Sequence, residues 1–252
     1  MRATSLLEEA LKVGAEHVLD VGVGNGAHAR AFLGRKSRVT GIDPRPANKE
    51  IEQHKYYTHI QDPYEKVSFE DDELFDLIWC SHTLEHIPNV QHFLVTLQGW
   101  LKPGGWLFIA VPSDRQRRLH VGHLTLWTPA HLAYNLVCAG WDCSKAIWYT
   151  DYLTIGMVVQ NTGPIDLSWR TSLPSEVSHL NKFMPKIIRH NDGAWWGNNW
   201  PDPIPYERVA DPPLVTIGAE KTNLPPEVQL AYGPNPELRR GYENRKVTRT
   251  AG

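Results

Sequence analysis

Val18-Leu19-Asp20-Val21-Gly22-Val23-Gly24-Asn25-Gly26 is the stretch on which the reading of this chain turns. An apolar run of strand character enters a turn of three glycines, and Ala27 to Leu33 then follow a helical period. A strand that feeds a helix through glycines lets the main chain approach a ligand closely at the helix N-terminus. The full G-x-G-x-x-G of a dinucleotide site is missing, since position 27 is Ala27, although alanine also serves there in some dinucleotide sites. Asp20 weighs more: a carboxylate inside the strand, just before the glycines, suits a cationic ligand and repels a pyrophosphate. A nicotinamide-dependent reductase is therefore the weaker rival, and NADH binding would expose it.

Working outward, Ser5 and Glu8 are spaced as a capping box ahead of Leu6, Leu7, Ala10 and Leu11, with Gly14 as the stop. Strands are expected at His17 to Val21, Arg38 to Ile42, more weakly Tyr56 to Ile60, then Phe75 to Cys80 and Trp106 to Val111. Asn89 caps a helix whose apolar face is Val90, Phe93, Leu94, Leu97 and Leu101, ended by Lys102-Pro103-Gly104-Gly105. Thr128 and Pro129 open a further helix that stops at Ala139-Gly140. Trp141 to Tyr149 and Tyr152 to Gln160 read as two strands joined by a tight turn. The alternation predicts an α/β fold: a Rossmann-like, mostly parallel sheet with helices on both faces and an antiparallel edge.

Seven of the nineteen prolines precede residue 161 and twelve follow it, which divides the chain. Residues 1–160 are expected to form the ligand-binding domain, and 161–252 a Pro/Trp-rich C-terminal extension that covers the acceptor side or makes an oligomer contact, a homodimer included. A formal net charge of -2 argues against a strongly basic nucleic-acid surface. Met1 to Gly14 carries no long apolar run, so neither a signal peptide nor a membrane span is expected. Cys80, Cys138 and Cys143 form no C-x-x-C pair, and a cytoplasmic protein with reduced thiols is the expectation.

Asp43 stands at the end of the second strand, about twenty residues after the glycine turn, where an acidic side chain accepts from both ribose hydroxyls of a nucleoside. A plain turn aspartate before Pro44 is the alternative. With this residue the order of VLDVGVGNG, GIDP, FDLIWCSHTLEHIPN, LKPGGWLFIAVP and HLTLWTPAHLAYNLVCAGW is complete. It resembles the class I methyltransferases that use S-adenosylmethionine, in the style of the branch that modifies small molecules, over about residues 15 to 160. The resemblance implies that Asp20, Gly22, Gly24 and Gly26 surround the methionine part of S-adenosylmethionine, and Asp43 its ribose. It places Asp62 near the adenine, and Ser81 and His82 along the open side of the cofactor. Pro63 departs from the usual hydrophobic neighbour of that aspartate position.

Methyl transfer from a sulfonium is an in-line displacement, so alignment and exclusion of water dominate, and a hydroxyl acceptor must also lose its proton. His82 and His86 after the fourth strand, and His120 and His123 after the fifth, are the histidines placed for that. By the resemblance His123 comes first, because the H-x-x-x-W-T-P stretch tends to face the substrate; a loop-holding histidine is the plainer reading of each. Glu85 is an alternative substrate anchor. His82-Thr83-Leu84-Glu85-His86 also spells the H-x-x-E-H of inverted zinc peptidases, but Pro88 denies it a sustained helix, and no metal is expected.

Cys80-Ser81-His82-Thr83 lacks the N/D-P-P-Y of amine methylation on nucleic-acid bases, and no Pro-Cys nucleophile pair is present. Trp127, and Trp195, Trp196 and Trp200 in a polar–aromatic stretch, are expected acceptor contacts, with a flank cover or a dimer contact as the alternative for the last three. The basic tail (Arg239, Arg240, Arg245, Lys246, Arg249) is read as solvated. The sequence thus points to O- or N-methylation of a small polar molecule or saccharide. The alternative is a cofactor-binding, non-catalytic scaffold or regulatory subunit.

Overall fold

Short β-branched and aromatic runs separated by amphipathic helices build one seven-stranded sheet. The computed structural model describes residues 3–113, 120–151, 154–168 and 182–185. The chain divides into two compact units, Met1–Pro201 and Asp202–Gly252, and every described residue belongs to the first. The elements are α1 (Thr4–Lys12), β1 (His17–Val21), α2 (Ala27–Gly34), β2 (Arg38–Ile42), α3 (Lys49–Glu52), β3 (Tyr57–Ile60) and β4 (Phe75–Ser81). They continue with α4 (Val90–Trp100), β5 (Leu101–Pro112), α5 (Pro129–Cys138), β6 (Ile147–Asp151) and β7 (Thr154–Gln160).

The sheet order is β3-β2-β1-β4-β5-β7-β6; the first five strands pair in parallel, and β7 runs antiparallel to both neighbours. Alternate residues along each strand feed opposite faces. Leu19, Val21, Ile78, Cys80, Ile109 and Met157 pack with Phe93, Leu94 and Leu97 of α4 and Leu132 and Leu136 of α5. Val18, Leu77, Trp79, Phe108 and Val158 pack with Leu6, Leu7 and Ala10 of α1 and Ala29 and Phe32 of α2. Burying both faces explains why β1 and β4 carry nearly unbroken apolar runs rather than alternation.

Three expectations are corrected. Ser5 lies inside α1, which begins at Thr4 behind a left-handed Ala3 with no side-chain cap, so the Ser5–Glu8 capping box does not form. Strand pairing in β5 begins at Leu101 opposite Phe75, and the register shifts before Leu77 meets Trp106. The Lys102-Pro103-Gly104-Gly105 stretch is thus a bulge rather than a simple helix stop; its Gly104 N–H donates to Asn161 O at 2.8 Å. Trp141 to Ala146 is not strand: Trp141 and Cys143 are fully buried, and the Trp141 indole donates to Leu94 O at 3.0 Å. Core filling there takes precedence over pairing, and β6 starts only at Ile147. No helix among the described residues is long and apolar enough to cross a membrane.

Candidate active site at the carboxyl ends of the strands

In a sheet ordered 3-2-1-4-5, the strand order reverses between the parallel neighbours β1 and β4, and the crevice beyond their carboxyl ends is the place where such sheets bind ligands. Gly22, Gly24 and Gly26 follow β1, all at positive φ. At Gly22 a Cβ would lie 2.0 Å from Thr83 Oγ1, whose hydroxyl donates to Val21 O at 2.9 Å, so the turn is stitched to the segment after β4. At Gly24 a Cβ would meet nothing closer than Gly22 O at 4.0 Å, leaving the main chain open to an incoming group.

The turn and Asp43 hold each other. Gly24 N–H donates to Asp43 Oδ2 at 2.9 Å, while Arg45 reaches Asp43 through its backbone N–H (2.9 Å) and through Nε and Nη2 (both 3.1 Å). Burial pulls the Asp43 carboxyl upward, but the hydrogen bonds from Arg45 and Gly24 outweigh it and hold the group below its ordinary range. Its acceptor positions are full, two of them taken by the largely exposed Arg45 guanidinium. Nothing in the sequence marked Arg45 beyond its place two residues after Asp43.

Asp20 is buried on the α2 face. It accepts the Ala29 backbone N–H in the first turn of α2, and its Oδ2 has no partner among the described residues. Burial, reinforced by the Asp43 charge, pushes its carboxyl up to about 7. Asp20 thus anchors the helix N-terminus while keeping one unpartnered oxygen. Asp62 is half-exposed, with Oδ1 3.8 Å from Lys66 Nζ.

The second half of the site comes from the segments after β4 and β5. Ser81 is buried with Oγ unpartnered. His82 takes a left-handed conformation (φ 56°), donates its backbone N–H to Ala110 O at 2.8 Å, and places Nε2 3.3 Å from Thr154 Oγ1. Leu84–His86 is a single 3-10 turn, so no sustained helix carries the two histidines of H-x-x-E-H. It buries Glu85 completely, with Oε1 3.3 Å from His82 Nδ1 and 4.0 Å from His86 Nε2. Neither Glu85 oxygen has a hydrogen-bond partner among the described residues.

Leu124 N–H donates to Glu85 O at 2.7 Å, and His86 Nδ1 lies 2.7 Å from Gly122 O, fastening the 120–127 segment over this turn. His123 lies with its ring centroid 5.0 Å from His86 and 5.1 Å from His120. Burial lowers the His123 imidazole from its ordinary value, partly opposed by Glu85 and reinforced by His86 and His120. The expected histidines His82, His86 and His123 are therefore gathered around Glu85. Trp127 is instead packed in the core beneath α4 and α5, bridged to Ser113. Burial raises the Cys80 thiol, so no nucleophile forms there. Trp195, Trp196 and Trp200 lie outside the described residues.

A glycine turn clasped to an acidic strand end thus stands at the switch point, beside the unsatisfied polar groups that follow β4. Residues 2–139 match a family described as methyltransferase domain. The chain belongs to that family. A ubiquinone biosynthesis O-methyltransferase of Coxiella burnetii is 31% identical over 139 residues, covering 53% of this chain and 58% of that protein. One from Thiobacillus denitrificans is 37% identical over 99 residues, covering 37% and 43%. The chain thus spans little more than half the length of these curated relatives, or less.

Two solved structures share the fold at 20% identity. The N-methyltransferase NodS from Bradyrhizobium japonicum, in complex with S-adenosylhomocysteine, matches with a TM-score of 0.54 over 64% of this chain and 86% of its own. A 1,6-didemethyltoxoflavin N1-methyltransferase from Burkholderia thailandensis, bound to its namesake and S-adenosylhomocysteine, matches with a TM-score of 0.53 over 64% and 80%.

Proposed function

We propose that this chain is an S-adenosylmethionine-dependent methyltransferase that methylates an oxygen or nitrogen of a small polar molecule or saccharide in the cytoplasm. The observation that carries the reading is the Gly24–Asp43 clasp at the end of β1 and β2, beside an open main chain and an unpartnered Asp20 oxygen. These groups fit the cofactor's polar ends: Asp43 the ribose hydroxyls once Arg45 swings aside, and Asp20 with the glycine turn the amino-acid end. Asp62 is assigned to the adenine side, and Ser81 and His82 to the open edge. Bound there, S-adenosylmethionine supplies a methyl group on a positively charged sulfur.

On the acceptor side, Glu85 and the histidines do the chain's own work. His123, whose imidazole burial shifts below its ordinary value, takes the acceptor proton, and Glu85 favours the imidazolium that results. His82 and His86 flank the carboxylate and orient it. The 120–127 segment, tied down by Gly122 and Leu124, shields the pocket from water. Oxygen is favoured over nitrogen because the relatives at 31–37% identity are named as O-methyltransferases. Trp195, Trp196 and Trp200 of the extension are assigned to the acceptor's flat face.

The test is calorimetric titration with S-adenosylhomocysteine, followed by turnover of S-adenosylmethionine against phenols, sugars and amines. Micromolar binding with turnover on one class supports the reading; a folded protein that binds neither nucleoside overturns it. His123→Ala should lower turnover about 100-fold with cofactor affinity unchanged.

A further inference from the structure

We propose that Glu85, His86 and His123 form a binding site for a divalent transition-metal cation of the zinc class. One ligand atom from each residue can be chosen so that all three lie within 4.8 Å of one another. Two imidazoles and one carboxylate are a ligand set that such cations favour, and they leave coordination positions open.

Two further observations point the same way. Glu85 is completely buried, yet both carboxylate oxygens lack a hydrogen-bond partner among the described residues. Its polar neighbour His82 Nδ1, at 3.3 Å, makes no hydrogen bond to it, and burying a carboxylate so poorly matched is expensive unless a cation completes it. His86 Nδ1 lies 2.7 Å from Gly122 O, a carbonyl that can only accept. Nδ1 therefore carries a proton, and in the neutral ring the unprotonated Nε2 stands 4.0 Å from Glu85 Oε1. A backbone carbonyl fixing the remote nitrogen in this way is the usual support of a metal-binding histidine. A cation placed between Nε2 and the carboxylate oxygen would satisfy both.

Ligands of one tetrahedral zinc sit about 3.3 Å apart, given metal–ligand distances of about 2.0–2.1 Å. His86 and His123 need only close toward Glu85, a movement that the half-exposed His86 ring can make about its hydrogen bond to Gly122 O. The absence of a long helix, which argued against zinc at H-x-x-E-H, does not apply, because the third ligand comes from the 120–127 segment. Coordination also changes the part played by His123: its lone pair goes to the cation rather than to the acceptor proton. An acceptor hydroxyl entering an open position would be acidified by the metal and would release its proton to solvent.

Metal binding stands on this geometry alone, whereas its use in catalysis rests on the proposed methyl transfer. The test is titration of the chelator-treated 252-residue chain with Zn²⁺ by calorimetry, and with Co²⁺ by visible absorption. One equivalent should bind at micromolar or tighter affinity, without a thiolate charge-transfer band, and His86→Ala and His123→Ala should each weaken it at least tenfold. Absence of binding, or affinity unchanged in both variants, overturns the site. S-adenosylhomocysteine titration on the same samples separates the two proposals. Zinc binding without nucleoside binding removes the methyltransferase reading and leaves the metal site, and the converse result removes the metal site alone.

Discussion

The two halves of the crevice are built on opposite principles. At the ends of β1 and β2 polar groups are nearly saturated: Asp43 takes contacts from Gly24 and Arg45, and Asp20 holds the start of α2. Beyond β4 and β5 they are left wanting. Of the eight buried side-chain polar atoms without a partner among the described residues, five belong to Ser81, Glu85, Thr125 and Trp127 in those segments. Saturation preorganises a site for one ligand shape; unsatisfied buried groups await a partner that brings charge or hydrogen bonds of its own. One half is suited to an invariant cofactor, the other to an acceptor or ion.

The contrast is broken hardest by Asp43→Ala. Losing two charge-assisted hydrogen bonds of roughly 1.5–3 kcal/mol each should weaken S-adenosylhomocysteine binding at least about 100-fold by calorimetry. Arg45→Ala, which merely clears the same carboxylate, should leave that affinity equal or slightly tighter. An effect of similar size in both variants would mean the clasp, not the diol contact, matters.

Next in size is a pH effect from Asp20, whose carboxyl is pushed up to about 7. A ligand bearing an ammonium group binds the ionised form, so affinity should rise with pH, at most about tenfold per unit, and level off above 7. The ligand-free protein should respond with the opposite sign. Because the folded state holds this proton more tightly, Asp20's contribution to stability is complete below about pH 4 and is lost as pH climbs to 7. Asp20→Asn should flatten both curves, and a slope surviving in that variant would assign the titration elsewhere.

The smallest expected change sharpens the other half. In chelator-treated protein, Glu85→Gln removes an unpartnered buried carboxylate and should raise the melting temperature by roughly 2–4 °C, equivalent to about 1 kcal/mol. A lower melting temperature would show that the His82 ion pair at 3.3 Å already compensates the charge.

What the sequence made legible follows the same divide. The glycine turn, Asp20 and Asp43 were readable because each lies next to the strand that positions it, and β1, β2 and β4 are runs whose burial on both faces leaves little choice of element. The joining of Glu85 to His123 was not readable. It depends on Leu124 and Gly122 docking onto a 3-10 turn nearly forty residues upstream, a contact with no local pattern. Trp127 misled for a related reason: H-x-x-x-W-T-P fixes the start of α5, and that start carries the indole into the core. Arg45 needed the folded Asp43 to acquire a meaning.

The place of β7 between β5 and β6 bears on how the molecule comes into being. Among the described residues β6 has no strand neighbour except β7, so its place in the sheet depends on the strand that follows it. During synthesis the edge of β5 from Trp106 to Pro112 must therefore wait, uncovered, until Gln160 has emerged to complete the pairing. A nascent chain with such an apolar edge is open to pairing with a second copy of itself, and this interval is when chaperone protection would matter most.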